Sequence, residues 1–312
     1  MPIDPQVALH YSSQKSAAAV NGPLTLKEIR ANADKIYNDE SHFPNVYKVN
    51  DLTIPSACGG VSIRVYYPNA EQQLPVLLYF HGGGFVMHNI ASHDSLCRKL
   101  CCEFGGVIVN VGYRLTPETP YPGFMDDAWD VLNWVSDHAD DLGVDRSRIA
   151  VGGDSAGAII SAGLSTLSRD RKGPKISLQF LCYGSFGCLE PEESESLELY
   201  GNGGYVLTKE FLNMAMDAPD ADGKYQDDPY LHPGKAVDLK GLPKTYSINA
   251  EYDPLRDDGE MYAKKLIEAG NDVTLWRVEG LMHGFLLLWQ KFDKSQLVIS
   301  KMAEMFRETF GL

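Results

Sequence analysis

Two short stretches of the chain carry residues suited to acyl-transfer chemistry: HGGGF at residues 81–85 and GDSAG at residues 153–157. Glycine weakens the interior of a regular element, so a run of three needs a backbone reason. A phosphate cradle is one candidate, but the chain has no G-x-x-x-x-G-K-[ST] sequence, and the lysine of that motif is missing. The other is a set of donors for an oxyanion. Gly82, Gly83 and Gly84 can turn their N–H groups outward with no Cβ in the way, which is what the developing charge of a tetrahedral intermediate needs.

The second stretch supplies a nucleophile. A lone G-x-S-x-G is a weak signal, but here Gly153-Asp154-Ser155-Ala156-Gly157 follows the apolar Ile149, Ala150 and Val151 and precedes the helix-like AIISAGLS. That is the strand–turn–helix setting of a nucleophile elbow, in which a tight turn projects Ser155 and points the Ala156 N–H at an oxyanion. A serine hydroxyl is inert at neutral pH without a base, so a histidine is required. Of eight histidines, His10, His42, His81, His88, His93 and His138 precede the serine; only His232 and His283 follow it, as the triad order of this motif demands. His232 sits before a proline in LHPG, whereas His283 follows the last apolar strand in LMHGF, so His283 is the expected base. The acid must lie between, at the end of a strand. YSINAEYDPLRDDGE offers Glu251, Asp253, Asp257 and Asp258. Asp253 directly follows the apolar run and Pro254 ends it; Asp257 and Asp258 are expected to cap the next helix. His81 and Asp154 are read as structural hydrogen-bonding residues beside the site, and Arg114 and Glu118 as a buried-turn ion pair behind it.

These residues need elements to hold them. TLKEIRANADKIY (25–37) has a capping box at Thr25 and Glu28, with Leu26, Ile29, Ala33 and Ile36 at helical spacing. PVLLYF (75–80), GVIVNVGYR (106–114), RIAVGG (148–153), ISLQFLCYG (176–184), KTYSINAEYDPL (244–255) and DVTLWRVEG (272–280) read as strands. Between them, helices run through residues 92–104, through MDDAWDVLNWVSDHA with Ala128, Trp129, Leu132 and Val135 on one face, and through AGAIISAGLSTLS. Strands in continuous apolar runs, alternating with helices, argue for an α/β domain whose parallel sheet is covered on both faces. Residues 185–240 break the rhythm with Gly, Pro, Asp and Glu and one helix-like stretch from Thr208; an insertion of this length reads as a lid over a site.

The whole chain sets outer bounds. Its 312 residues, 44% hydrophobic and 22% charged, fit a globular protein with a sizeable core. A net charge of −14 argues against nucleic acid or an anionic membrane surface as partner. No basic start with an apolar run opens the chain and no stretch is apolar enough to span a bilayer, so a cytoplasmic location is expected. The six cysteines, Cys58, Cys97, Cys101, Cys102, Cys182 and Cys188, show no metal-ligand spacing; three fall in one expected helix and one in an apolar strand, which suits buried free thiols.

Taken in order, HGGGF, YRLTPETPYP, GDSAG, DPLRDDGE and HGF resemble the hormone-sensitive-lipase-like family of α/β-hydrolases, the family IV esterases, over most of the chain from about residue 60. The resemblance implies an α/β-hydrolase fold: a mostly parallel central sheet flanked by helices, with a helical cap. It implies Ser155, Asp253 and His283 as triad, and Gly83, Gly84 and Ala156 as oxyanion donors. It divides the chain into an N-terminal part of the cap (1–45), a first part of the core (46–184), a cap insertion (185–240) and a second part of the core (241–312). Phe85, His88, Phe211, Leu212 and Met216 are then the residues expected against the substrate. The implied activity is a carboxylesterase on short to medium acyl chains, with a small-molecule ester as partner, no cofactor and no metal; a homodimer is left open. His88, Ala158 and Thr116 depart from the usual pattern, and His88 is read either as shaping the cleft or as a surface residue. Two other readings stand beside this one: a receptor-like, weakly catalytic binding protein, against which the presence of His283 weighs, and an amide or lactone hydrolase with the same triad.

Overall fold

The six apolar runs form neighbouring strands of an eight-stranded sheet, with the run at 272–280 at its edge. The computed structural model describes residues 2–18, 25–37, 43–57 and 59–312. In chain order the elements are α1 (Pro5–Ala18), α2 (Leu26–Tyr37), β1 (Lys48–Ile54), β2 (Val61–Tyr67), β3 (Leu74–Phe80), α3 (Asp94–Phe104), β4 (Val107–Gly112), α4 (Gly123–Asp137), α5 (Ala139–Leu142), β5 (Val144–Asp154), α6 (Ala156–Arg171), β6 (Ile176–Cys182), α7 (Glu195–Tyr200), β7 (Asn202–Tyr205), β8 (Leu207–Thr208), α8 (Lys209–Asp217), β9 (Lys244–Tyr252), α9 (Arg256–Glu268), β10 (Val273–Met282) and α10 (Asp293–Phe310). The sheet order is β1-β2-β4-β3-β5-β6-β9-β10. The pairs β1–β2 and β2–β4 are antiparallel and the remaining pairs parallel.

The period of two along each strand sends alternate side chains to opposite faces. In β3, Val76, Leu78 and Phe80 join Ala128, Val131 and Leu132 of α4 and Ile159, Ile160 and Leu164 of α6 in one core layer. Leu77 and Tyr79 join Leu96 and Leu100 of α3 and Val298, Met302 and Phe306 of α10 in the other. Every residue of β3 is buried, which is why its sequence is a continuous apolar run instead of an alternating one. Each such aliphatic side chain contributes roughly 1.5–3 kcal/mol by leaving water, so the sheet is a stiff platform for the groups at its carboxyl edge.

The capping box of α2 is present: the Thr25 N–H donates to Glu28 Oε2 at 2.8 Å and the Glu28 N–H to Thr25 Oγ1 at 3.3 Å. Leu26 and Ile29 are half-buried; the side chains of Ala33 and Ile36 lie outside the described residues. Between β6 and β9 the chain holds more than the one helix read from its sequence. Besides α8, N-capped by Thr208 accepting the Phe211 N–H at 3.0 Å, there are the short α7 and the β7–β8 hairpin. The expectation of buried thiols holds for Cys97, Cys101 and Cys182 but not for Cys102, which is exposed; Cys188 is half-buried, and Cys58 lies outside the described residues.

Candidate active site

The strand–turn–helix elbow expected around Ser155 is built at the end of β5. Ser155 has φ 53° and ψ −120°, a strained conformation between the strand and α6. A Cβ on Gly157 would run into the Phe80 carbonyl, and one on Gly153 would stand 2.6 Å from the Gly157 carbonyl carbon, so only glycine lets β3, the elbow and α6 meet this closely. The Ser155 N–H donates to Cys182 O at 2.8 Å, tying the turn to β6.

Two neighbouring strand ends bring the partners. β10 ends at Met282, so His283 is the first residue beyond it, and Gly284 at φ 76° turns the chain into the 285–288 turn. Asp253 is the first residue beyond β9 and is fully buried. Nε2 of His283 lies 3.0 Å from Ser155 Oγ and Nδ1 lies 2.8 Å from Asp253 Oδ2. A carboxylate only accepts, so Nδ1 carries the ring proton and Nε2 presents its lone pair to the serine hydroxyl. The other oxygen of Asp253 accepts the Leu255 N–H at 2.9 Å. The ring of Tyr183, itself at φ 41°, abuts the imidazole edge-on at 4.9 Å between centroids.

The loop after β3 turns through Gly83 (φ 111°) and Gly84 (φ 59°), and the Gly83 carbonyl accepts the N–H groups of Val86 and Met87, both at 3.0 Å. Ala156 is the first residue of α6, where an N–H has no intrahelical acceptor. Among the described residues, the N–H groups of Gly83, Gly84 and Ala156 donate to no protein acceptor. Asp154 joins this loop to the elbow: its Oδ1 accepts the Gly82 N–H at 3.1 Å and the Tyr79 hydroxyl at 2.8 Å, and lies 3.2 Å from His93 Nε2. Burial pushes the Asp154 carboxyl up, but His93 and the Tyr79 hydroxyl outweigh it and hold it down, at about 2. His81 donates from Nδ1 to Gly82 O at 2.8 Å and stacks on Tyr113 at 4.2 Å. Both residues are hydrogen-bonding supports, as expected. Burial, helped by the nearby His93, lowers His81 and His88 to about 3.

Ser155 and Ala156 open into a cavity of about 320 Å³ with mainly apolar walls. Gly84 and Phe85 border it from the loop, Phe211, Leu212, Ala215 and Met216 from α8, and Leu189, Leu197 and Leu207 from the rest of the 183–243 segment. Of the five residues expected against the substrate, Phe85, Phe211, Leu212 and Met216 are there. His88 is not: it is buried under the glycine loop, edge-on to His93 at 5.5 Å, neither in the cavity wall nor on the surface. His232 lines the cavity near Gly187 but takes no part in the Ser155–Asp253 chain.

Two ionic expectations are corrected. Arg114 does not pair with Glu118: its Nε and its N–H both reach Asp127 Oδ2 at 2.9 Å, and Glu118 is taken by Arg30 at 2.7 Å. Asp257 and Asp258 do not cap α9, whose N-cap is Leu255. Asp258 instead accepts the N–H groups of Phe186, Cys188 (2.7 Å) and Leu189 (2.9 Å), and Asp257 that of Ser196 (2.7 Å), so this turn anchors the segment above the cavity. Neither Arg30 nor Tyr183 carries a sequence signal that marks it. Among the described residues no cluster of His, Cys, Asp and Glu could hold a metal ion and no helix is long and apolar enough to cross a membrane.

Comparison with known proteins adds to this geometry. A family model described as alpha/beta hydrolase fold matches residues 77–287. Esterase LipI of Mycobacterium tuberculosis is 37% identical over 242 residues, which span 77% of this chain and 75% of that protein. An arylesterase of Saccharolobus solfataricus is 31% identical over 287 residues, 92% of this chain and 93% of its own. Among solved structures, a hyperthermophilic esterase from Pyrobaculum calidifontis superposes with a TM-score of 0.92 at 34% identity, covering 99% of both chains.

Proposed function

We infer the mechanism from a premise the comparisons supply, that this chain belongs to the hormone-sensitive-lipase-like α/β-hydrolases and hydrolyses carboxylic esters: Ser155 is the nucleophile, His283 the general base and acid, and Asp253 the residue that orients the imidazole. The observation that carries the reading is the unbroken chain from Ser155 Oγ through both ring nitrogens of His283 to Asp253, at 3.0 and 2.8 Å, opening into an apolar cavity.

Ser155 Oγ attacks the ester carbonyl carbon as its proton passes to His283 Nε2. The carbonyl oxygen becomes an oxyanion held by the N–H groups of Gly83, Gly84 and Ala156, fixed donors that need no reorganisation as charge develops. The buried Asp253 carboxylate stabilises the imidazolium without itself taking the proton. Collapse of the intermediate breaks the bond to the alcohol oxygen, which leaves with the proton from His283, and Ser155 is left acylated. Water then attacks the acyl carbon, giving its proton to His283, and a second collapse releases the acid and restores the serine.

Residues 185–240, with the N-terminal part of the chain, act as a cap. Its α8 presents Phe211, Leu212 and Met216 to the acyl chain of short to medium esters. Ser155→Ala should lower kcat by roughly four to six orders of magnitude while the fold survives, and a fluorophosphonate should label the wild-type protein and spare the variant. A variant that keeps more than a few per cent of activity sinks this mechanism.

A further inference from the structure

Arg30 crosses from α2 to the loop that carries the proposed oxyanion donors. Its Nε donates to Val86 O at 2.6 Å and its Nη2 to Thr116 O at 2.9 Å. Nη1 and Nη2 also reach the two oxygens of Glu118, at 2.7 and 2.8 Å. Four charge-assisted bonds thus leave one guanidinium for three separate residues, a fork that only arginine offers.

The loop it grips needs outside support. Phe85 and His88 both sit in the left-handed region, at φ 62° and 71°, which is unfavourable for side chains of their size. Phe85 O already accepts the Thr116 N–H at 2.9 Å and its hydroxyl at 3.3 Å, so the 83–88 and 115–118 loops are bonded to each other before Arg30 spans both. The grip reaches the donors through two peptides. Arg30 holds the Val86 carbonyl, and the N–H of that same peptide, from Met87, holds the Gly83 carbonyl at 3.0 Å. In a trans peptide the C=O and the following N–H point in opposite directions. Fixing the Gly83 carbonyl therefore aims the Gly84 N–H, which borders the cavity beside Ser155.

We propose that Arg30 is a positioning residue for the oxyanion site, so that α2 serves the chemical step although it does not border the cavity among the described residues. This rests on reading the Gly83 and Gly84 N–H groups as the donors. The two carbonyl bonds carry the effect. The Glu118 side chain is 60% exposed, and an exposed ion pair adds little.

The test is steady-state kinetics on p-nitrophenyl acetate, an acyl group too short to depend on the cap. Losing an oxyanion donor costs about 10²–10³ in kcat, so a donor left in place but loosely aimed should cost about tenfold to a hundredfold. Arg30→Ala is expected to show that fall in kcat with KM within about twofold, because the interaction strengthens only in the transition state. Methylguanidinium at tens of millimolar should restore part of it, and Glu118→Gln should stay within about threefold of wild type. Arg30→Gln, which keeps a single amide nitrogen in place of the three-nitrogen guanidinium, is the second variant should Arg30→Ala melt too early to assay; the same fall in kcat is expected. Wild-type kcat in either variant, or a loss expressed wholly in KM, overturns the proposal, and Arg30 then only ties α2 to the two loops. Ser155→Ala run alongside separates the two layers: an inactive Ser155→Ala with a fully active Arg30→Ala refutes only the role of Arg30, whereas an active Ser155→Ala removes the site reading beneath it.

Discussion

Oδ2 of Asp253 stands 2.8 Å from Nδ1 of His283, and the carboxyl is held there by the Leu255 N–H on its other oxygen. Glu251, two residues earlier on β9, faces elsewhere and accepts the Gly280 N–H at 2.7 Å. Asp253→Asn would present an amide to Nδ1 and favour the wrong tautomer, with an expected loss of roughly 10⁴ in kcat. Glu251→Gln and Asp257→Asn should each stay within about tenfold of wild type. Measured kcat on one short ester ranks the three; if Asp253→Asn is not the most damaging, the acid is assigned to the wrong residue.

Gly83 gives a second expectation. Its φ of 111° lies where side chains are strained, and a Cβ there would meet the Met87 carbonyl and stand 2.8 Å from Cδ2 of His88. Both neighbours are packed, so in Gly83→Ala the peptide has to rotate. The expected result is a loss of about 10²–10³ in kcat with little change in KM, the signature of a lost oxyanion donor. Near-normal kcat in a folded Gly83→Ala protein would move the donors elsewhere.

The placement of Ser155, Asp253 and His283 was legible because each is the first residue past an apolar strand, and a parallel sheet brings such strand ends to one edge. The glycines were legible for a related reason: close approach at Gly153 and Gly157 leaves no room for another residue type. What stayed hidden was pairing across sequence distance. Arg114 finds Asp127 thirteen residues on, and Glu118 finds Arg30 eighty-eight residues back, so the local spacing of Arg114 and Glu118 misled. Asp257 and Asp258 have the composition of a helix cap, but the chain above the cavity competes for them with unpaired N–H groups of its own. The helix α7 has six residues, fewer than two turns, and leaves no periodicity to read.

Acid should unfold this protein through its buried histidines. His81 and His88 are held at about 3, against an ordinary value near 6.5 in the unfolded chain. Between those values the unfolded chain binds more protons than the folded one, so stability falls as pH falls. The contribution is fully present above about pH 6.5 and is lost progressively toward pH 3. Asp154, held at about 2, adds a loss of the same sign at lower pH, below its ordinary value near 4. Urea midpoints between pH 8 and pH 4 should drop steadily in the wild type. Asn tolerates the left-handed backbone at position 88 and does not titrate, so His88→Asn should flatten the slope. An equal slope in that variant would place the acid sensitivity elsewhere.

Acyl length should be set by α8. The helix lies directly on the glycine loop: a Cβ on Gly84 would stand 2.8 Å from the Ala215 methyl and 3.4 Å from the Phe211 ring. Each acyl methylene that enters the apolar cavity contributes about 0.8 kcal/mol, close to a fourfold gain in kcat/KM, until the space is full. Beyond that, further carbons stay in water or push the cap aside, and the gain reverses. A cavity of about 320 Å³ is at the small end for ligand sites, and a maximum between about four and eight acyl carbons is expected from the transfer value and the family likeness. Phe211→Ala removes the ring nearest the loop and should move the maximum toward longer chains, with the rate on acetate little changed. p-Nitrophenyl esters from acetate to palmitate give the profile for both proteins. A steady rise to palmitate in the wild type, with a jump in rate on emulsified triglyceride, would mean that the protein works at oil–water interfaces and that α8 does not limit chain length.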